Sequence, residues 1–208
     1  MMKVVTKIEK FKGKKGYRKI VFSDSSTLEI DRELTAYFCI NEGTQLDDNE
    51  FKKIKELTSR KLAKDRILEF LKHKSRSEGE VRKKLYGLRV KSEIIDEIID
   101  DLKRVGFIDD REFALRFSYD FINRRPAGEI LLKSELKKRG ISEDIINETI
   151  ERIYSELDKK ELALKLVNKK RFDLSTDDPK VKKKIADLLL RRGFDWGIVR
   201  EVLQVDNS

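Results

Sequence analysis

Along residues 3–30, apolar and polar residues alternate in short runs: KVVTKIEKF, YRKIVF and TLEI. A period of two puts one set of side chains on one face of a strand. Gly13 and Gly16 separate the first two runs, and residues 23–26 (SDSS) separate the second and third. The pattern predicts a three-stranded antiparallel meander. DRELTAYFCI, residues 31–40, predicts a short helix ended by Asn41 and Gly43. From residue 44 onward the periodicity is helical.

One small motif recurs within the helical region. LDDNEF (46–51), IDDREF (108–113) and LDKKEL (157–162) each hold an apolar residue, Asp, Glu three positions on, and a second apolar residue. An Asp at the N-cap accepts backbone N–H bonds from the first turn, and Glu at N3 reaches back to the cap's own N–H. The flanking apolar pair forms a hydrophobic staple, and the acids sit at the positive end of the helix dipole. Asp47, Asp109 with Glu112, and Asp158 are therefore read as structural caps. Three carboxylates within four residues (Asp109, Asp110, Glu112) also suit a metal-dependent nuclease, but such a site has no need of three copies in the same apolar frame.

The recurrence extends further. Ala63, Ala114 and Ala163 occupy equivalent places in KLAKDRIL, EFALRFSY and ELALKLVN. Downstream, Leu85, Leu136 and Leu189 align, then Val90, Ile141 and Phe194, then Ile94, Ile145 and Ile198. The spacing from Ala to the second set is 27, 27 and 31 residues, the extra four falling in RFDLSTDDPK. A period of about 50 residues predicts three helices per repeat, each burying its face on the next. Ser77 with Glu80 marks the start of the first repeat's second helix. Ser92, Ser142 and Asp195 mark the third helices, and Pro126 fits the first turn of the middle repeat's second helix. In the first repeat the cap lies 11 residues early, about three helical turns, so its first helix is expected to run unbroken from Asp47 to about Lys72. The expected architecture is mainly α: tandem three-helix repeats in an elongated array after a small antiparallel β segment. Its expected divisions are 1–45, 46–107, 108–156 and 157–208.

Charge changes the picture. Charged residues make up 42% of the chain and the net charge is +9, a balance that favours polyanions or an acidic protein surface. Residues 1–60 carry 13 Lys+Arg and 10 Asp+Glu, so +3 of the excess lies there and +6 beyond. The excess is spread over the folded chain and is not a tail. Cations recur near the second helix of every repeat. They are Arg76, Arg82, Lys83 and Lys84; Arg124, Arg125, Lys133, Lys137, Lys138 and Arg139; and Lys182, Lys183, Lys184, Arg191 and Arg192. If the repeats stack with a small rotation, these make a discontinuous positive stripe able to meet phosphates or acidic patches. The opposing reading is that many are long-stemmed covers of helix surface.

Candidate chemistry is sparse. Cys39 is the only cysteine, so no intrachain disulfide forms. In AYFCI it reads as a buried apolar thiol. His73, the only histidine, falls near a helix end, where a cation suits the dipole. Trp196, just inside the last helix, reads as core in preference to an exposed anchor. No Walker loop or zinc spacing occurs, no run approaches the ~20 apolar residues of a membrane span, and the N-terminus has no signal-peptide core. These readings point to a cytoplasmic protein.

SRSEGEVRKKL, GFIDDREFALRF, RRPAGEILLKSELKKRGI and LLLRRGF, in that order, resemble the signatures of the RecX family. The resemblance spans residues 60–203 and is most specific over 106–141. The residues before 60 look like the N-terminal extension of longer members. The last repeat departs through its longer first-to-second-helix loop and short tail. The resemblance implies a regulator of the RecA recombinase in recombination, DNA repair and the SOS response, bound along the groove of the RecA–DNA filament. It implies inhibition of RecA ATP hydrolysis, coprotease function and strand exchange, with filament destabilisation and capping as competing modes. It implies no enzyme activity and no cofactor. The expected partners are the RecA nucleoprotein filament and, weakly, single- or double-stranded DNA, bound by a monomer. The alternative is a stand-alone helical nucleic-acid-binding protein, since a three-helix unit can place a helix in a groove.

Overall fold

The computed structural model describes residues 2–12 and 15–204. Gly13, read above as part of the first turn, lies outside the described residues. The described chain divides into two compact parts. One holds the residues up to His73 together with Lys84–Ile98. The other holds Lys74–Lys83 and the chain from Ile99 onward.

The first part opens with β1 (Lys3–Lys10), β2 (Tyr17–Phe22) and β3 (Thr27–Asp31), followed by α1 (Arg32–Tyr37) and β4 (Gln45–Leu46). The sheet is antiparallel, in the order β3-β2-β1-β4. Ile8 pairs with Ile20, and Ile20 with Leu28, so one face of each strand carries the apolar set. Val5, Ile20, Phe22, Leu28, Ile30 and Ile54 form the core beneath it, and Phe51 meets Phe22 edge-to-face at 5.2 Å.

The fourth strand corrects the three-stranded expectation. Gly43 (φ +89°) turns the chain back onto β1, where its N–H donates to the Val5 carbonyl and the Val5 N–H donates to Thr44. α1 also ends earlier than expected, at Tyr37, and Asn41 and Gly43 belong to the turn into β4. Cys39 is exposed, not buried. It occupies a left-handed turn (φ +48°) that hands the buried place to Ile40.

α2 runs Asp48–Lys72, 25 residues, with His73 as its C-cap. Its start is a complete capping box: Asp47 Oδ1 accepts from Asn49 and Glu50 N–H, and Glu50 Oε2 accepts from the Asp47 N–H at 2.9 Å. α3 (Glu78–Gly87) and α4 (Ser92–Arg104) complete the first repeat, with Ser92 the first residue of α4. α5 (Asp110–Arg124), α6 (Glu129–Lys137) and α7 (Glu143–Glu156) form the second. α8 (Lys159–Lys169), α9 (Pro179–Arg191) and α10 (Trp196–Leu203) form the third. Phe113, Leu132, Leu136, Ile146, Leu189 and Phe194 belong to one continuous core in the second part.

The caps at 109 and 158 differ from the one at 47. Asp109 Oδ1 accepts from Arg111 and Glu112 N–H, and Asp158 Oδ1 accepts from Glu161 N–H. Glu112 does not act as a capping side chain; it pairs with Arg116 one turn on, at 3.2 Å. Glu161 likewise turns to Lys165 at 3.7 Å. An i,i+4 cation competes for the N3 glutamate. Pro126 does not open α6, since the chain stays extended through Gly128, the N-cap. Ser142 caps α7 by position, without a side-chain bond. Trp196 is 59% exposed and corrects the core reading: it stands at the first position of α10, while Phe194, Val199 and Val202 take the buried places. Replacing Asp109 with Ala is expected to lower unfolding free energy by ~1 kcal/mol, the usual worth of an N-cap. Urea titration measures it, and an unchanged midpoint refutes the capping role.

Candidate functional site

Repeats meet through one recurring contact. In the second and third repeats, the turn between second and third helices receives the first turn of the preceding repeat's second helix. Ser77 Oγ donates to the Arg139 carbonyl at 2.6 Å, and the Glu78 N–H donates to Asp110 Oδ1 at 2.8 Å. One repeat later, the Gly128 and Ile130 N–H groups donate to the Arg192 and Gly193 carbonyls at 2.9 and 3.2 Å. The backbones nearly touch. A Cβ on Gly79 would lie 2.5 Å from the Arg139 oxygen and 2.8 Å from the Gly140 Cα.

This contact takes up two of the stripe cations. Arg139 donates to the Glu135 carbonyl and carboxylate and lies 3.9 Å over the Phe117 ring. Arg192, its counterpart, donates to the Arg125 and Pro126 carbonyls and lies 5.6 Å from the Phe121 ring centroid. Burial, with Arg125 nearby, lowers the Arg192 pKa. Both guanidinium groups are engaged by bonds within the fold.

Other candidates are paired. Arg82 meets Glu78 at 2.6 Å, Lys138 meets Glu135 at 2.8 Å and Lys182 meets Asp177 at 2.9 Å. Arg76 lies 3.9 Å from Glu80, and Lys84 lies 5.8 Å from the Phe70 ring centroid. The Lys138 bond holds the Glu135 carboxyl below its ordinary value.

In the middle repeat, four cations stay open. Arg124 and Arg125 end α5, and Lys133 and Lys137 stand four apart on α6, while Leu132 and Leu136 on the adjoining face are fully buried. Among the described residues these four, with Lys83 and Arg191, have no carboxylate within ion-pair distance. Ile130 on α6 is 62% exposed. The arrangement can bind a polyanion or an acidic surface.

The three acids of the α5 start do not converge on a common point. Asp109 caps α5, Asp110 takes the Glu78 N–H, and Glu112 faces Arg116. Among the described residues, no three His, Cys, Asp or Glu side chains are grouped to hold a metal ion. No described helix is long and apolar enough to cross a membrane.

Sequence reasoning missed the Glu78 cluster. Glu78 joins Lys103 at 2.6 Å as well as Arg82. Burial opposes its charge, but the Lys103 and Arg82 bonds outweigh it and hold its pKa below 4.5. Burial pushes Asp110 the other way. A depressed carboxyl stabilises the fold above its unfolded pKa, and that contribution is lost as pH falls through the folded value. The raised Asp110 has the opposite sign; burial, its largest cause, is common to wild type and Glu78→Gln, and only the smaller contribution of the Glu78 charge differs between them. Wild type is therefore expected to exceed Glu78→Gln in stability at pH 7, with the gap closing below about pH 4.5. Urea titrations across that range measure it, and a pH-independent gap refutes the ion-pair assignment.

Three family models match the helical region in order. Residues 63–102, 109–150 and 156–203 match the first, second and third three-helix domains of RecX. A regulatory protein RecX of Clostridioides difficile is 31% identical over 207 residues, covering 97% of this chain and 95% of that protein. One from Clostridium acetobutylicum is 29% identical over 204 residues, covering 96% and 94%. A crystal structure of a regulatory protein RecX shares the fold with a TM-score of 0.65 at 24% identity, over 96% of this chain and 98% of that one. The RecX structure from Lactobacillus salivarius gives 0.60 at 26% identity, over 70% and 95%.

Proposed function

The chain belongs to the RecX family, and on that premise we propose that it is a non-enzymatic regulator of the RecA recombinase. It binds along the groove of the RecA–DNA filament in the cytoplasm and inhibits ATP hydrolysis, coprotease function and strand exchange. It works as a monomer and without a cofactor. Segments 46–107, 108–156 and 157–208 act as successive binding modules, and 1–45 as an added one. The observation that carries this reading is the match of all three tandem domains in order.

The open cations of the middle repeat supply the chemistry. Arg124, Arg125, Lys133 and Lys137 stand outside the ion-pair network that consumes their neighbours. A cation already paired on its own helix has little to offer a partner, whereas an open one adds attraction and orientation. The test is RecA ATP hydrolysis on single-stranded DNA, titrated with this protein. Dose-dependent loss of hydrolysis is expected, and full hydrolysis at saturation removes the reading.

The same cations support binding to DNA itself as a second reading. Dispersed phosphate contacts release counterions, so that binding is expected to be weak at physiological salt and to fall steeply as salt rises. Filter binding across a salt series, without RecA, measures it. Tight, sequence-selective binding at physiological salt makes the second reading the primary one.

A further inference from the structure

The groove that receives a helix start in the second and third repeats also exists in the first, where it is open. It measures about 410 Å³ and lies between α2 and the turn after α3, with Ser59, Leu62 and Ala63 on one side and Leu88, Arg89 and Val90 on the other. That volume falls within the ~300–1,000 Å³ of ligand sites.

The internal repeat says what such a groove takes. Arg139 and Gly140 of the second repeat correspond to Leu88 and Arg89 of the first. The residue four before the repeat's alanine is Ser59 in the first repeat, Asp110 in the second and Lys159 in the third. At that position Asp110 accepts the Glu78 N–H, and Lys159 forms an ion pair with Glu129. Both occupants are first turns of helices carrying glutamate: Glu78 and Glu80 on α3, Glu129 on α6. Ser59 stands ready to accept an N–H in the same way. Among the described residues, no backbone N–H donates to the Leu88 or Arg89 carbonyl, the counterparts of the carbonyls that take the Ser77 hydroxyl at 139 and the Gly128 and Ile130 N–H groups at 192 and 193.

Three features set the character of the open groove. Its rim is basic. Lys52, Lys55, Arg66, Arg89 and Lys91 line it with a single acid, Glu56, which Lys91 meets at 2.9 Å. Its floor is aliphatic, with Leu62, Ala63, Leu88, Val90 and Ile94 and no aromatic ring on which a base could stack. Arg89 also holds a left-handed conformation (φ +57°) where the later repeats have Gly140 (+76°) and Gly193 (+78°). Those glycines admit a backbone within contact distance. Arg89 instead presents a guanidinium, which meets a carboxylate one side-chain length further out.

We propose that this groove is a docking site for the acidic first turn of a helix from a partner protein. The partner's glutamates face Lys52, Lys55 and Arg89, its leading N–H groups reach Ser59 and the Leu88 carbonyl, and an aliphatic side chain covers Ala63 and Val90. The site is separate from the open cations of the middle repeat and does not depend on the RecA reading.

Fluorescence anisotropy on the full chain tests it. The probe is a labelled helical peptide that begins Ser-Glu-Gly-Glu and continues with leucines and glutamates at helical spacing. A counterpart with glutamine for every glutamate is the control. The expected result is at least about tenfold tighter binding of the acidic peptide, with NMR methyl shifts at Ala63, Val90 and Ile94. The double variant Lys55→Glu, Arg89→Gly is expected to lose that preference at unchanged melting temperature, because glycine accepts the left-handed turn. Equal affinity for the two peptides overturns the proposal, as does unchanged binding by the variant. Displacement of the peptide by oligothymidylate, with shifts at the same methyls, overturns it in favour of a nucleic-acid groove. Concentration-dependent self-association abolished by the variant assigns the groove to a second copy and also overturns it.

Discussion

Gly193→Ala is expected to lower the free energy of unfolding by about 2–5 kcal/mol, a large share of a typical total. Two costs add. Gly193 has φ +78°, where an L side chain is strained by roughly 1–2 kcal/mol. Its Cβ would also fall 2.6 Å from the Leu131 Cβ and closer still to the Leu131 N–H. That contact involves backbone on both sides, so neither can rotate away as a flexible side chain would. Opening it costs about 1–3 kcal/mol as overpacking and weakens the Gly128 and Ile130 N–H bonds to the third repeat's turn.

Gly128→Ala separates the two costs. Gly128 has φ −88°, so no strain attaches to a side chain there, yet its Cβ would collide with the Gly193 carbonyl. An expected loss of about 1–3 kcal/mol then isolates the close approach. Gly87→Ala is the control: a Cβ there meets nothing within 4 Å, and alanine at the end of α3 is neutral or gains up to ~1 kcal/mol in helix propensity. Urea unfolding of the three variants orders them. Equal, small effects at 128 and 193 would mean the turn and helix start are not held in contact in solution.

These glycines also show where reading the sequence stopped. Nothing local in RRG or KRG says that another backbone lies against it, since that contact links residues about 60 positions apart. α2 was legible end to end because its boundary signal is local: Asp47 and Glu50 satisfy each other's N–H groups within four residues. The same motif at 109 holds only its aspartate, because Arg116 lies one turn on and draws Glu112 away. β4 is two residues long, too short for alternation to register, and depends on β1 for its bonds. Cys39 and Trp196 were placed in the core on hydrophobicity, yet each sits beside an apolar residue better aimed inward, Ile40 and Phe194. The cations of the candidate surface were all legible as a set. Arg139 and Arg192 could not be told from Arg124 and Lys137, because only the fold sets a ring or a carbonyl beside them.

That sorting sharpens the test of the middle repeat. The triple variant Arg124→Glu, Arg125→Glu, Lys133→Glu is expected to lose most inhibition of RecA ATP hydrolysis while melting near wild type. Among the described residues none of the three side chains meets a carboxylate, so reversing them breaks no ion pair. The Arg125 carbonyl that Arg192 uses is backbone and survives the change. Arg124 and Arg125 are exposed and Lys133 is half-buried; surface substitutions that break no bond usually stay within about 0.5 kcal/mol each. Three reversals shift the surface by six charges, against a partner whose attraction works through the same charges. Arg192→Ala is the necessary contrast. It removes a single cation, but that cation bonds two carbonyls and lies near Phe121. Its loss is expected to lower the melting temperature, with inhibition per folded molecule retained. If the triple variant inhibits as wild type does, the interface lies on another face and these cations are solvated cover. If Arg192→Ala melts normally but fails to inhibit, the guanidinium belongs to the partner and not to the fold.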